Sequence, residues 1–251
     1  TDSIVMAVKA ARDHARAKRG LDKGLNIVIP FSAHPAFDKA GMMMDIDVRR
    51  VPVKDYLADV AAMEAAIDER TLLIVGSAPC FPFGLIDPIE ALSELAQRRN
   101  VWLHVDACVG GYIAPFVRMN GADLPPFDFS VPGVWSISGD LHKYGYASKG
   151  ASTVFFRTRE LLDFMTFDAG PWPLGRMMTP TLAGTRPGGA IAAAWAVTQF
   201  LGVEGYREKQ RQVTEAREKI EAGVRKLGFR VIGKPQLGIV SFTHDEADCL
   251  A

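Results

Sequence analysis

Cysteine is scarce in this chain of 251 residues: Cys80, Cys108 and Cys249 are far apart and form no CxxC pair. That excludes a disulfide framework, offers no zinc-binding pattern, and fits a reducing, cytoplasmic location. Excess charge of either sign is missing too. With 29 basic and 29 acidic side chains the formal net charge is zero, so no overall field draws in nucleic acid or an anionic membrane, and any anion site has to be built locally. Long apolar runs are absent. The longest uncharged stretch, between Arg186 and Glu204, is rich in Ala and Gly and short for a bilayer span, so it is expected to be a buried helix. No signal peptide is visible in these residues, and the chain opens without Met and stops in what reads as mid-domain. It is therefore expected to be an internal segment of a longer protein, and whether that protein carries a targeting signal or membrane anchor is left open.

What the chain does have is enough apolar sequence for a substantial core: 48% hydrophobic residues against 23% charged. Ile4, Val5, Val8 and Ala11 recur at helical spacing behind the cap residues Thr1 and Asp2, with Gly20 as a stop. NIVIP (26–30) reads as a buried strand, SAHPAFDKAGMMM as a helix with Ser32 as its cap and Pro35 in its first turn, and VRRVPV (48–53) as a strand. The alternation continues through a helix near ADVAAMEAAIDER, a strand at TLLIVGSA, a helix at DPIEALSELAQRRN and a strand at VWLHVDA. Short apolar strands between helices predict an α/β fold, a mostly parallel sheet with helices on both faces. After GVWSIS (133–138), STVFFR (152–157) follows too closely for a parallel crossover, so one antiparallel strand is expected. From Pro187 to about Leu227 the pattern is helical, and FRVI and GIVSF open something new. The expected organisation is a large domain over 1–205, then a linking helix and the start of a smaller α/β domain over 206–251.

In open parallel sheets, ligands bind beyond the carboxyl ends of the strands. Here those ends carry His34, the APCFPFG loop, Asp106, and then Asp140, His142 and Lys143. A lone carboxylate at a strand end is ordinarily a cap or an ion-pair partner. A carboxylate, an imidazole and a lysine together are what pyridoxal 5'-phosphate requires: an amine for a Schiff base, an acid for the pyridine nitrogen, and a flat ring to stack on the cofactor. His104 and Asp106 share a strand face, but no third ligand at a suitable spacing accompanies them, so a packed His104 is expected and no metal site. His14 and His244 read as surface residues, and Met42 to Met44 as core filling.

HVDACVGGY around Asp106, SISGDLHKYGYASKG around Lys143, SAHPAF around His34 and TPTLAGTRPGG at 179–189 resemble the motifs of the fold-type I pyridoxal-phosphate lyase and decarboxylase superfamily. Within it the chain is most like the sphingosine-phosphate lyases, from Thr1 to at least Gly205. The resemblance implies an aspartate-aminotransferase-like large domain. It makes Lys143 the lysine bound to the cofactor, Asp106 the partner of the pyridine nitrogen, His34 the ring-stacking residue, and Thr1 part of a phosphate turn. His142 would help hold the phosphate or orient Lys143. Lys149 matches the second lysine of the lyase motif, to steady substrate or to keep the Lys143 amine neutral by like-charge repulsion. Tyr144 and Tyr146 are substrate candidates, and Arg186 is a contact for the cofactor phosphate or the substrate phosphate, across a dimer interface. Phe83 departs from the family, which has a histidine at that place in its FPHG loop. The implied function is carbon–carbon cleavage of a small-molecule amine, a phosphorylated 2-amino alcohol, by a homodimer with shared active sites. Amino-acid decarboxylation and a catalytically silent interaction subunit stay open as alternatives.

Overall fold

A computed structural model describes residues 1–244, so Cys249 lies outside the described residues. Helix α1 (Asp2–Arg19) buries Ile4, Val5, Val8 and Ala11 on one stripe and stops at Gly20, whose φ of 64° is left-handed backbone that glycine adopts without steric cost. Strand β1 (Asn26–Pro30) is buried throughout, and helix α2 (Ala36–Met44) follows. The start of α2 differs from expectation. Ser32 does not cap it; Pro35 is the cap residue, and Nδ1 of His34 accepts the Ala36 N–H at 3.1 Å, so an imidazole does the work a serine hydroxyl would have done.

Strand β2 (Asp47–Val51) leads through a short hairpin, β3 (Val53–Lys54) and β4 (Leu57–Ala58), into helix α3 (Val60–Ala66). Then come β5 (Thr71–Ser77), α4 (Ile89–Arg99), β6 (Trp102–Asp106), α5 (Ala114–Met119), β7 (Val134–Gly139) and β8 (Thr153–Phe156). The central sheet runs β2-β1-β5-β6-β7-β8. Its first five strands are parallel and β8 is antiparallel to β7, as the short link between them requires. Alternation along the strands divides the core in two. Val28, Ile74 and Leu103 pack with Met63 and Leu92 on one face, while Ile27, Ile29, Leu73, Val75 and Trp102 pack against α1 and α2 on the other. Helices on both faces and a parallel sheet between them are the fold-type I arrangement.

Beyond the sheet lie α6 (Arg159–Asp163), an antiparallel hairpin of β9 (Phe167–Trp172) and β10 (Gly175–Thr179), and α7 (Gly189–Lys226), kinked at Gly202. A last antiparallel pair joins β11 (Arg230–Val231) to β12 (Phe242–Thr243). Three expectations need correction. The uncharged stretch is helical but not buried within the chain: Trp195 is 68% and Phe200 88% exposed. Met42 and Met43 face solvent, because the stripe of α2 that meets the sheet is Phe37, Ala40 and Gly41. His14 is no free surface residue; its ring meets Trp102, Trp135 and Phe164 edge to face, and burial lowers its pKa. His244 packs edge to face on Phe229. Among the described residues no helix is long and apolar enough to cross a membrane.

Candidate active site

Parallel register places Ser77, Asp106 and Ser138 side by side at the carboxyl ends of β5, β6 and β7. Asp106 is buried there, and the Cys108 N–H and the Ser138 O–H both meet Oδ1 at 3.1 Å. Oδ2 is the oxygen left for a ligand. The chain then turns, and Asp140, only 3% exposed, becomes the hub of the rim. Its Oδ2 lies 3.0 Å from Nζ of Lys143 and 3.5 Å from Nε2 of His142, and its Oδ1 accepts the Ser152 O–H at 2.5 Å. The Ser3 and Ser152 hydroxyls are 2.7 Å apart.

Electrostatics follow this geometry. Burial pushes the Asp140 carboxyl up, but Ser152, Lys143 and His142 outweigh it and hold the pKa below the usual range. Burial likewise works against the charge on Lys143, yet Cys108, the hydrogen bond to Asp140 and the Asp140 and Asp106 carboxylates together outweigh it and its pKa is raised. Like-charge repulsion by Lys149 therefore does not govern this amine. Lys149 is exposed, and carboxylates are what surround Lys143.

Beside the hub is a cavity of about 450 Å³ whose walls include Thr1, Ser3, His142, Ser152 and Arg186. The amino end of α1 opens onto it, which brings unpaired backbone N–H groups and the positive end of the helix dipole. Thr1, His142 and Arg186, far apart in sequence, thus share one cavity, with Lys143 tied to its wall through Asp140. His34 does not share it. It lines a separate shallow depression with Ser32, Asp38, Arg50 and Phe81. Tyr144 donates its O–H to the Gly238 carbonyl at 3.0 Å, and Tyr146, 41% exposed and at a left-handed φ of 57°, lies edge to face on Tyr144. Burial raises the pKa of both phenols. Phe83, the departure from the lyase loop, packs on Tyr56.

Sequence reasoning noted Asp140 at the rim without giving it a role, and passed over Ser3 and Ser152. An acid three residues ahead of a lysine in a tight turn was a usable signal for Asp140. The serines carried none, because they meet only when α1 and β8 pack on the same strand end.

Three observations show that this donor set fits a phosphorylated pyridine aldehyde. Asp106 keeps one carboxylate oxygen clear of protein donors, a buried Nδ1 on His142 has no protein partner, and the cavity combines an amino helix end with Arg186. Among the described residues no cluster of side chains could hold a metal ion.

Known proteins agree. Residues 3–245 match the pyridoxal-dependent decarboxylase conserved domain. A sphingosine-1-phosphate lyase of Oryza sativa subsp. japonica is 48% identical over 99% of this chain and 46% of its own length. A probable L-tyrosine/L-aspartate decarboxylase of Methanothermobacter thermautotrophicus is 37% identical over 97% of the chain and 66% of its own. The solved structure of a sphingosine-1-phosphate lyase from Burkholderia pseudomallei superposes with a TM-score of 0.93 at 41% identity, covering 97% of this chain and 56% of that one. The chain spans about half the length of the lyases it matches. With its motifs at the ends of β6 and β7, and a match running through nearly every described element, this chain belongs to the pyridoxal-dependent decarboxylase family.

Proposed function

We propose that the protein to which this chain belongs is a pyridoxal-phosphate-dependent lyase that cleaves a phosphorylated 2-amino alcohol of the long-chain-base type to an aldehyde and phosphoethanolamine. The observation that carries the proposal is the 48% identity to a named lyase over 250 residues, against 37% to a named decarboxylase. When bound, the cofactor supplies an electron sink for the charge left on carbon as the bond breaks.

The chain's own residues do the rest. Lys143 is the covalent anchor, and in the resting protein Asp140 keeps a proton on its Nζ, so that pair has to separate before the amine can attack. Asp106, through Oδ2, holds a proton on the ring nitrogen, a charge-assisted bond strengthened by burial. Thr1, Ser3, His142 and the amino end of α1 bind phosphate. Arg186, on the same cavity, is assigned to a second anionic group, that of the substrate; Tyr144, Tyr146 and Lys149 are weaker substrate assignments that rest on the motif. His34 is given to the face of the ring by resemblance alone.

The same proposal includes a homodimer. Phe167, Trp172, Leu174 and Leu182 are exposed on and after the β9–β10 hairpin, as are Trp195 and Phe200 on α7, an apolar expanse that a second copy would cover. Leu182 and Arg186 also line the cavity, so the covering copy would complete its wall. The division into a large domain over 1–205 and the start of a second over 206–251 is part of the proposal, supported by the kink at Gly202. A cytoplasmic setting rests on the scarcity of cysteine.

The test offers a phosphorylated long-chain 2-amino alcohol and a set of common amino acids to the full-length holoenzyme and measures aldehyde and carbon dioxide side by side. Aldehyde from the amino alcohol is expected. Carbon dioxide without aldehyde would replace cleavage by decarboxylation.

A further inference from the structure

Behind Asp106, on the side away from the cavity, lies a row of buried polar side chains that the proposed chemistry does not use. Trp102, His104 and Asp106 alternate along one face of β6, and Ser136 and Ser138 do the same on β7. All of them are buried, His104 and both serines completely. Nε1 of Trp102 donates to Oγ of Ser136 at 2.7 Å; that oxygen lies 2.8 Å from Nδ1 of His104. Nε2 of His104 is 3.2 Å from Oγ of Ser138, which donates to Oδ1 of Asp106 at 3.1 Å.

The ends of this row set its direction. An indole N–H can only donate, so Ser136 accepts there and its own proton is free for Nδ1 of His104. Nδ1 then carries no proton, and the proton of the neutral ring sits on Nε2, aimed at Ser138. At the other end a carboxylate can only accept, so the Ser138 proton goes to Asp106. With the opposite tautomer the Ser136 proton would lose its acceptor, and Ser138 would have to turn its proton away from Asp106 toward Nε2. Burial also keeps the ring neutral, with its pKa pushed down to about 4; Asp106 is the one charge acting against that. Phe37, from α2, closes the ring edge to face.

We propose that His104 is a positioning residue for Asp106: held as the Nε2–H tautomer by Trp102 and Ser136, it orients the Ser138 hydroxyl so that Oδ1 is engaged and Oδ2 is turned to the ligand. This rests on the assignment of Asp106 to the ring nitrogen of the cofactor. A row of donors all pointing one way delivers a fixed dipole to one carboxylate oxygen and stops the carboxylate rotating.

Two measurements test it on the full-length protein. Nitrogen NMR of labelled histidine, with the His104 signal identified by its loss in His104→Gln, is expected to show a neutral ring protonated on Nε2 at pH 7. An Nδ1–H tautomer or a charged ring would overturn the proposal. The second measurement is a double-mutant cycle on the dissociation constant of pyridoxal phosphate. Ser138→Ala should weaken binding about tenfold in the presence of Asp106, the scale of one hydrogen bond to a charged group, and by less than about twofold in the Asp106→Asn background. An equal loss in both backgrounds means that Ser138 merely supports the sheet, and would overturn the proposal. His104→Gln, which still offers an N–H to Ser138, should retain most of the affinity that His104→Leu loses; equal losses would also overturn it. If Asp106→Asn alone leaves affinity unchanged, the ring-nitrogen assignment fails, and the positioning purpose with it, while the tautomer still reports whether the row exists.

Discussion

Around Asp140, the side chains of His142, Lys143 and Ser152 converge on one buried carboxylate, with Ser3 behind Ser152. On the face made by β9, β10 and the first turns of α7, large apolar side chains stand exposed among the described residues. The first region spends its burial on polar groups that answer one another. The second leaves exposed the kind of surface that cores are made from. The rim is therefore held by contacts within one chain, whereas the hairpin face is where the proposed second copy would sit. The two meet at the cavity, where His142 stands on one side and Leu182 and Arg186 on the other.

Removing the amine should break the rim most severely. Lys143→Ala in the full-length protein is expected to lower turnover by about three orders of magnitude or more and to erase the visible absorbance of the bound cofactor. Peptide mapping after borohydride reduction of the wild-type protein should place the label on Lys143. A label on Lys149 would move the anchor to the exposed end of the loop.

The next effect belongs to the other region. Replacing Trp195 and Phe200 together by Glu should weaken self-association about 100-fold or more, as loss of buried aromatic anchors does, without unfolding a helix on which both are already exposed. Sedimentation velocity over a range of concentrations reads this directly. An unchanged sedimentation profile would mean that something other than a second copy covers the face.

The smallest effect sharpens what a buried carboxylate costs. Asp87 lies under the end of β5 and accepts the N–H groups of Ser77 at 2.7 Å and Ala58 at 2.8 Å. Burial pushes its pKa up to about 6, with the two backbone N–H groups working against the rise. Because the folded chain holds this proton more tightly than the unfolded chain, the Asp87 contribution to stability is fully present below about pH 4 and is lost as pH rises to about 6. The loss is on the order of 2–3 kcal/mol. Asp87→Asn should flatten that slope in urea titrations of the full-length protein; a slope that persists would place its source elsewhere.

The sheet was legible because its strands are apolar on both faces and its helices are amphipathic, patterns that survive without tertiary context. NIVIP and TLLIVGSA could hardly be anything but buried parallel strands, and the short link to STVFFR forced the antiparallel edge. Lys143 and Asp106 were singled out because strand ends are where chemistry collects, and Thr1 only through the family resemblance. What escaped needed the third dimension. PWPLG gives no alternation, so the β9–β10 hairpin was not foreseen. An alanine-rich run reads as core whether its cover comes from the same chain or another. The cap of α2 went to an imidazole two residues further on than the serine that propensity favours, and Ser3 and Ser152 became partners only through long-range packing.

That packing has a consequence in time. The rim is closed by contacts between parts of the chain made far apart during synthesis: Ser3 with Ser152, 149 residues on; Tyr144 with Gly238, 94 residues on; Pro82 with Ser241, 159 residues on. Leu237, carried on the same late segment, is 2% exposed in the core. Closing loops of that size is entropically costly until the contacts that reward it exist. A nascent chain can therefore pair β1, β5, β6 and β7 as they emerge, but the core beside Leu237 stays open until that late segment has left the ribosome. The far end of the described chain thus closes a core laid down long before it.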